Sequence, residues 1–354
     1  MKLLIITQKV DKNEQLLGFF IEWLRLFAEK FEKITVLCLE KGEYDLPGNV
    51  KVISLGKDRG YGKFKQFFNF YFLILKYHRE YDAVLVHMNP IWVVLGGYFW
   101  KLFDKKIFLW YTHKSITLKL RIAAIVADII FTASPESFRL NSKKVVVTGH
   151  GIDTDLFKPN SEFENPSLKE RGLPGEVGRQ DSKLRLLSIG RISPVKGYET
   201  LIDAAKILKD KNVDFIITII GKPALESDSE YEESLKFKIQ SLKLEENFDF
   251  VGKVVHNDLP KYYQSQDLFI HLSKTGSLDK TMLEAMACGI KVISSNDAAR
   301  TILPVELLFN DNPQELADKI LQSKEINTDS LRNYVVENHN LQKLITKISE
   351  IIKL

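Results

Sequence analysis

Residues 184–208 read LRLLSIGRISPVKGYETLIDAAKIL, and the two ends of that run differ in kind. The first six residues are apolar and β-rich without polar alternation, as in a strand covered on both faces. From Tyr198 the apolar positions return at helical spacing. Between them lies Gly190-Arg191-Ile192-Ser193-Pro194-Val195-Lys196-Gly197, a loop with a glycine at each end and two cations. A strand that hands a basic, glycine-bearing loop to a helix is the repeating unit of an open parallel sheet. In such sheets ligands sit beyond the carboxyl ends of the strands.

The same alternation runs along the rest of the 354 residues. Strands are expected at 2–7, 34–39, 50–54, 83–87, 107–111, 129–132 and 145–148, with helices at 16–31 and around 64–77. A second series has strands at 184–189, 215–220, 248–251, 268–272 and 292–295, with helices at 198–208, 232–242, 281–287 and 313–321. Residues 159–182 interrupt the pattern, rich in Pro, Gly, Asn, Glu and Ser without an apolar period. These signals predict an α/β chain of two facing, doubly wound, Rossmann-like domains, at 1–155 and 184–335. A surface connection is expected at 156–183. A last helix within 336–354 has apolar residues at 341, 344, 345, 348, 351 and 352, a stripe expected to pack back on the first domain.

Composition narrows the class. Two cysteines, Cys38 and Cys288, lie far apart without metal-ligand spacing, which argues for a reducing compartment and against a disulfide scaffold. The N-terminal apolar run is too short for a signal peptide, and no apolar stretch reaches the ~18 residues that span a bilayer. A cytoplasmic location is expected. Residues 1–150 hold 23 Lys and Arg against 14 Asp and Glu, while the remainder holds 27 against 32. The positive first half favours an anionic partner, either a membrane surface or a phosphate-bearing acceptor. No recognisable nucleic-acid motif is present. Ordinary solvated lysines account for the same numbers.

Two segments carry the candidate chemistry. In the loop around Gly190, the Arg191 guanidinium offers a flat fork to phosphate oxygens and the Lys196 ammonium a point charge, so the pair suits a diphosphate. A basic loop that merely caps a strand reads identically. The second segment, TGSLDKTMLEAMACG at 275–289, follows strand 268–272 and opens a helix closed by Gly289. Asp279 or Ser277 can cap its start, where free N–H groups favour an anion. Glu284 lies one turn inside, on the side of Lys280 and Thr281, and can accept two hydroxyls as a ribose presents them. A solvated glutamate paired with Lys280 is the structural alternative.

With these motifs in place, a family resemblance follows. SIGRISPVKGYETLIDAA (188–205), NFDFVG (247–252), YYQSQDLFIHLS (262–273) and MLEAMACGIKVIS (282–294) resemble the donor-binding half of retaining family-4 glycosyltransferases. GHGIDTDLFKP (149–159) is similar to the Asn-Gly-Val-Asp-x-x-x-Phe-x-Pro at that family's domain crossing. The resemblance implies the GT-B fold, and a nucleotide-diphosphate sugar as donor substrate with no cofactor and no metal. It implies transfer with retention to a saccharide or lipid-linked glycan, as in cell-envelope polysaccharide synthesis. By it, Gly190, Arg191 and Lys196 hold the donor diphosphate, with Thr275, Gly276, Ser277, Asp279, Lys280 and Thr281 around the donor and Glu284 on the ribose. His113, after Tyr111 and Thr112, meets the transferred sugar, or else caps a sheet edge. Gly18 lets backbone approach the donor phosphates or the acceptor. His113, Arg191 and Lys196 are the candidate catalytic set.

The chain also departs from the family. Counting back from Glu284, Gly276 stands where the family has a second glutamate that touches the donor sugar, and residues 296–300 replace a glycine-rich stretch. Three consequences are open: Asp279 substitutes, Thr275, Ser277 and backbone groups recognise the sugar, or activity is lost. A catalytically silent nucleotide-sugar-binding protein and a nucleotide-sugar epimerase of the same fold are the alternatives. Asp153-Thr154-Asp155 spells a D-x-D but reads as turn chemistry after a strand. Residues 57–79, and the Tyr98 to Lys106 cluster, mix Lys and Arg with aromatics: either a helix face for an anionic membrane, which would make the protein peripheral, or simply core. His87 and Asn89 are candidates for the acceptor side.

Overall fold

Leu3, Leu4, Ile5 and Ile6 follow one another and all are buried, which no strand with one wet face allows. They lie in β1 (Lys2–Val10), an interior strand of a seven-stranded parallel sheet in the order β3-β2-β1-β4-β5-β6-β7. The computed structural model describes residues 1–14, 16–160, 183–274, 276–323 and 329–354. It divides into two compact units, Met1–Gly151 with His339–Leu354, and Ile152–Asn338.

In the first unit, α1 (Phe20–Lys30), β2 (Lys33–Lys41), β3 (Val50–Ser54), α2 (Lys63–Lys76), β4 (Ala83–His87), α3 (Ile91–Leu102), β5 (Lys106–Trp110), α4 (Leu118–Val126), β6 (Ile129–Thr132) and β7 (Val145–Val147) follow β1. The neighbouring strands pair in parallel. One sheet face carries a core with α1, through Trp23, Leu24 and Phe27. The other carries a core with α2, α3 and α4, through Phe70, Trp92, Trp100 and Leu120.

The second unit holds β8 (Leu184–Ile189), α5 (Tyr198–Asp210), β9 (Phe215–Ile220), α6 (Glu226–Ser241), β10 (Phe248–Gly252), α7 (Leu259–Gln264), β11 (Leu268–His271), α8 (Lys280–Ala287), β12 (Lys291–Ser294), α9 (Pro313–Gln322) and α10 (Asp329–Asn338). Its parallel sheet runs β10-β9-β8-β11-β12. β8 pairs with β9 on one side and β11 on the other, so the strand order reverses at its carboxyl end.

The chain then re-enters the first unit. The His339 ring accepts the His150 N–H through Nδ1 at 3.1 Å, and burial pushes its pKa down to about 4, keeping the ring neutral. The final helix, α11 (Leu341–Lys353), lays Leu344, Ile345 and Ile348 into the α1 core. Its Lys347 ammonium also donates to the Val147 carbonyl at 2.8 Å. The first unit ends at Gly151, ahead of the 155 read from sequence, because Ile152 and Phe157 belong to the second core. The expected connection at 156–183 lies mostly outside the described residues. Helices α3, α4, α7 and α10 were not among those expected.

All four tryptophans, Trp23, Trp92, Trp100 and Trp110, lie in the first unit, so indole fluorescence reads its unfolding alone. Ile348 is fully buried, and Ile348→Ala is expected to lower the stability read by tryptophan in a urea titration by about 2–5 kcal/mol. An unchanged midpoint would mean that the returning helix does not hold this core.

Candidate functional site

The carboxyl ends of β8 and β11 lie side by side, and the loops that leave them carry the candidate residues of the second unit. After β8 the chain turns through Gly190 and Arg191 to Lys196, and after β11 it runs from Leu272 to Asp279 and into α8. Lys196 Nζ donates to Asp279 Oδ2 at 2.7 Å and to Ser273 Oγ at 3.3 Å. His271 Nε2 meets the same Oδ2 at 3.1 Å, and its Nδ1 meets Ser294 Oγ, at the end of β12, at 2.9 Å. An ionised carboxylate only accepts, so Nε2 donates. Burial alone would raise the Asp279 carboxyl, but the hydrogen bond from His271 and the Lys196 ammonium hold it well below the usual carboxylate range.

This corrects the expectation that Asp279 or Ser277 caps α8. Asp279 stands at the N-cap but its side chain makes no capping hydrogen bond, because its carboxylate is turned to Lys196 and His271. Ser277 Oγ is buried and lacks a hydrogen-bond partner among the described residues, as does Thr281 Oγ1. Among the described residues, the N-terminus of α8 therefore has neither a side-chain cap nor satisfied Ser277 and Thr281 hydroxyls beside it. Thr275 lies outside the described residues.

Gly276 has φ of +62°, in the left-handed region where a β-carbon is strained. The glutamate that the family resemblance puts at this place is therefore disfavoured by the backbone as well as absent. Asn296 holds the loop in this shape: its Nδ2 donates to the carbonyls of Ser273, at 2.9 Å, and Ser277, at 3.2 Å. Residues 296–300, which replace the glycine-rich stretch, thus contribute a clamp.

Glu284 is not solvated, contrary to one of the two readings made for it. Its Oε1 lies 3.1 Å from His256 Nε2, and its Oε2 accepts from Tyr263 Oη at 3.1 Å. Burial would raise this carboxyl too, but the hydrogen bond from His256, with the charges of His256 and Lys280, keeps it below the ordinary value. Burial pushes the Lys280 pKa down to about 8, against the opposing pull of Glu284. Arg191 is 44% exposed, with Nε 4.0 Å from Asp228 Oδ2. That carboxylate in turn accepts the Ala224 and Leu225 N–H groups.

Arg191, Lys196, Ser277, Asp279, Lys280, Thr281 and Glu284 all belong to the second unit, and Gly18 and His113 to the first. His113 is exposed in the loop after β5, its Nδ1 accepting the Ser115 N–H at 3.1 Å. A β-carbon on Gly18 would fall 2.4 Å from the Glu14 carbonyl oxygen, so its own loop already requires a glycine there. Asp153 closes a turn, its Oδ1 accepting the N–H groups of Asp155 and Leu156. Among the described residues, no group of three or more His, Cys, Asp or Glu could hold a metal ion. His256, Tyr263, His271, Ser273 and Asn296 were not picked out from the sequence. His271 and Ser273 stand at a strand end, the one signal that marked them.

Residues 173–342 match the family model described as glycosyl transferases group 1. Among curated relatives, the chain is 27% identical to the mannosylfructose-phosphate synthase of Agrobacterium fabrum, over 51% of this chain and 38% of that one. It is 26% identical to the alpha-monoglucosyldiacylglycerol synthase of Streptococcus pneumoniae, over 58% of this chain and 44% of that one. The chain thus spans roughly two fifths of the length of these two relatives. Among solved structures it resembles Anabaena HepE, crystallised with UDP and glucose, with a TM-score of 0.76 and 18% identity over 100% of this chain and 99% of that one. With the switch-point loops, the two parallel sheets and the matched segment in agreement, residues 173–342 are similar to the glycosyl transferases of group 1 and the chain has a GT-B fold.

Proposed function

We propose that this protein transfers a sugar, with retention, from a nucleotide-diphosphate sugar to a saccharide or lipid-linked glycan of the kind built into cell-envelope polysaccharide. The observation that carries the reading is the arrangement beyond β8 and β11: two cations, a fixed carboxylate, and two buried hydroxyls without partners among the described residues. Arg191 and Lys196 hold the diphosphate. Asp279 stands in for the carboxylate missing at Gly276 and accepts sugar hydroxyls, while Ser277 and Thr281 donate to the ligand. Glu284, oriented by His256 and Tyr263, accepts the ribose hydroxyls. His113 takes the sugar-contacting role that the family resemblance gives it.

In the reaction, the bond from the anomeric carbon to the diphosphate oxygen breaks and the bond to the acceptor oxygen forms on the same face. The departing diphosphate takes the acceptor's hydroxyl proton. Its growing negative charge is stabilised by Arg191 and Lys196, whose positions are set before the bond breaks. An ammonium has three N–H groups, and among the described residues Asp279 and Ser273 use two, which leaves one for the diphosphate. The second reading, a silent nucleotide-sugar-binding protein, draws its support from Gly276 alone.

The first test is thermal unfolding of wild type and Lys196→Ala with UDP-, GDP-, TDP- and ADP-sugars. Ligand at ~100 times its dissociation constant adds ~2.7 kcal/mol. A rise with one nucleotide class, absent in Lys196→Ala, is expected, together with glycoside product when acceptor is added. A rise without product favours the silent reading, and no rise with any donor sinks the proposal.

Asp279→Asn separates sugar from nucleotide recognition. Loss of a charged hydrogen bond costs about 1.5–3 kcal/mol, so affinity for the nucleotide-sugar should fall by that much more than affinity for the free nucleoside diphosphate, which feels the variant only through Lys196. An equal loss for both ligands would remove Asp279 from the sugar. The same variant has a pH signature. A carboxyl held low in the folded protein stabilises it above the unfolded pKa of about 4, and that contribution is lost as pH falls. Asp279→Asn should therefore be less stable by about 3 kcal/mol at neutral pH, with a shallower loss of stability in acid.

Gly276→Glu restores the family's residue but places it at positive φ. Stability should fall by about 1–2 kcal/mol without a gain in transfer rate. A faster, equally stable variant would show that the backbone there adapts.

A further inference from the structure

The helix layer α2–α4 of the first unit has apolar groups on the wrong side. Phe70 and Ile74 of α2 turn inward to the core, as expected of one face. Its opposite face is also aromatic: Phe64, Phe68 and Phe72, four residues apart, are 85%, 68% and 62% exposed. The neighbouring helices repeat this, with Tyr98 of α3 at 74% and Leu118 and Ile125 of α4 at 73% and 76%. Tyr71 joins α2 to α3 through its ring contact with Phe99 and its hydrogen bond to the Leu95 carbonyl. Single exposed apolar residues are ordinary, but successive ones on three adjacent helices mark an interaction surface.

The charge on these helices is of one sign. α2, α3 and α4 contain no Asp or Glu. Lys63, Lys65 and Lys76 are exposed and none has a carboxylate partner among the described residues; Lys65 lies over the Tyr61 ring and Lys76 over Phe72. On a helix, Lys65 and Lys76 flank the Phe64–Phe68–Phe72 stripe. Aromatic rings at the centre with ammonium groups at the rim match the headgroup region of an anionic bilayer. There the rings enter the interface and the lysines reach lipid phosphates. Among the described residues no helix is long and apolar enough to cross a membrane, so the contact would be peripheral.

We propose that the outer face of α2, continued on α3 and α4, docks the protein on an anionic lipid surface. The same surface had two readings in the sequence, membrane face or core; exposure of the rings removes the second for this stripe.

The test is co-sedimentation with vesicles of phosphatidylglycerol and phosphatidylcholine, against phosphatidylcholine alone. It contains no nucleotide, so its outcome is independent of the donor reading. Wild type should pellet with the anionic vesicles and be released as salt rises. Each lysine near an anionic surface contributes roughly a fivefold change in partitioning. Lys63→Glu with Lys65→Glu should therefore weaken partitioning at least about tenfold, and Phe64→Ser with Phe68→Ser and Phe72→Ser should abolish it. Tryptophan-detected urea unfolding confirms that the variants remain folded. Wild type staying in the supernatant, or variants pelleting like wild type, would overturn the proposal. So would sedimentation velocity showing that the phenylalanines join two copies of the chain without vesicle binding.

Discussion

One carboxylate ties the second unit's strand ends together. Asp279 Oδ2 receives Lys196 from the loop after β8 and the imidazole of His271 in β11, and His271 is in turn held by Ser294 at the end of β12. A carboxylate taken largely out of water is tolerable only if paired and hydrogen-bonded, and removing one partner leaves the other exposed to the full penalty. The three strand ends are therefore coupled. The loop that carries Lys196 cannot shift without disturbing the loop that opens α8. The sheet fixes the strand ends, and the ion pair fixes the loops above them.

That coupling explains two departures from the family pattern with one cause. A loop that brings Asp279 back over β11 must turn sharply beforehand, and it does so at Gly276, in the left-handed region. A side-chain carboxylate and this turn are poorly compatible at the same residue, so the negative charge stands three residues later, on Asp279. Asn296, in the segment that replaced the glycine-rich stretch, donates to the carbonyls on either side of the turn. The altered residues at 276, 279 and 296 thus form one physical unit, even though they read in the sequence as separate losses.

The strands were legible because a buried parallel strand writes its burial into consecutive apolar residues. β3, β4, β6, β8 and β9 lie at the residues read for them. Helices fared worse for reasons that differ. α3 holds Gly96 and Gly97 and is apolar nearly all round, so it lacks a stripe, and α7 has six residues, too few to show a period. α6 begins with ESDSE, a polar start whose helix is fixed by Asp228 accepting backbone N–H groups instead of by burial. In the site, Arg191, Lys196 and Glu284 were visible as residue types after strands. Their partners were not, because Lys196 with Asp279, or Glu284 with His256, are pairings across the sheet that no local spacing records.

The surplus positive charge of the first half was legible as a number but not as a place. Much of it is neutralised locally: Lys9 with Asp11 and Glu40, Lys12 with Glu43, Arg25 with Glu22 and Asp45, and Lys33 with Glu80. These pairs sit around the strands and α1, where acidic residues are available. The α2–α4 layer has none on its helices, so the excess accumulates there, beside the exposed rings. Unscreened lysines repel one another, and solvated aromatic rings forgo about 25 cal/mol for each Å² left in water. Neither feature stabilises the isolated unit, and both are relieved by the same kind of neighbour, one that is anionic at its surface and apolar just beneath.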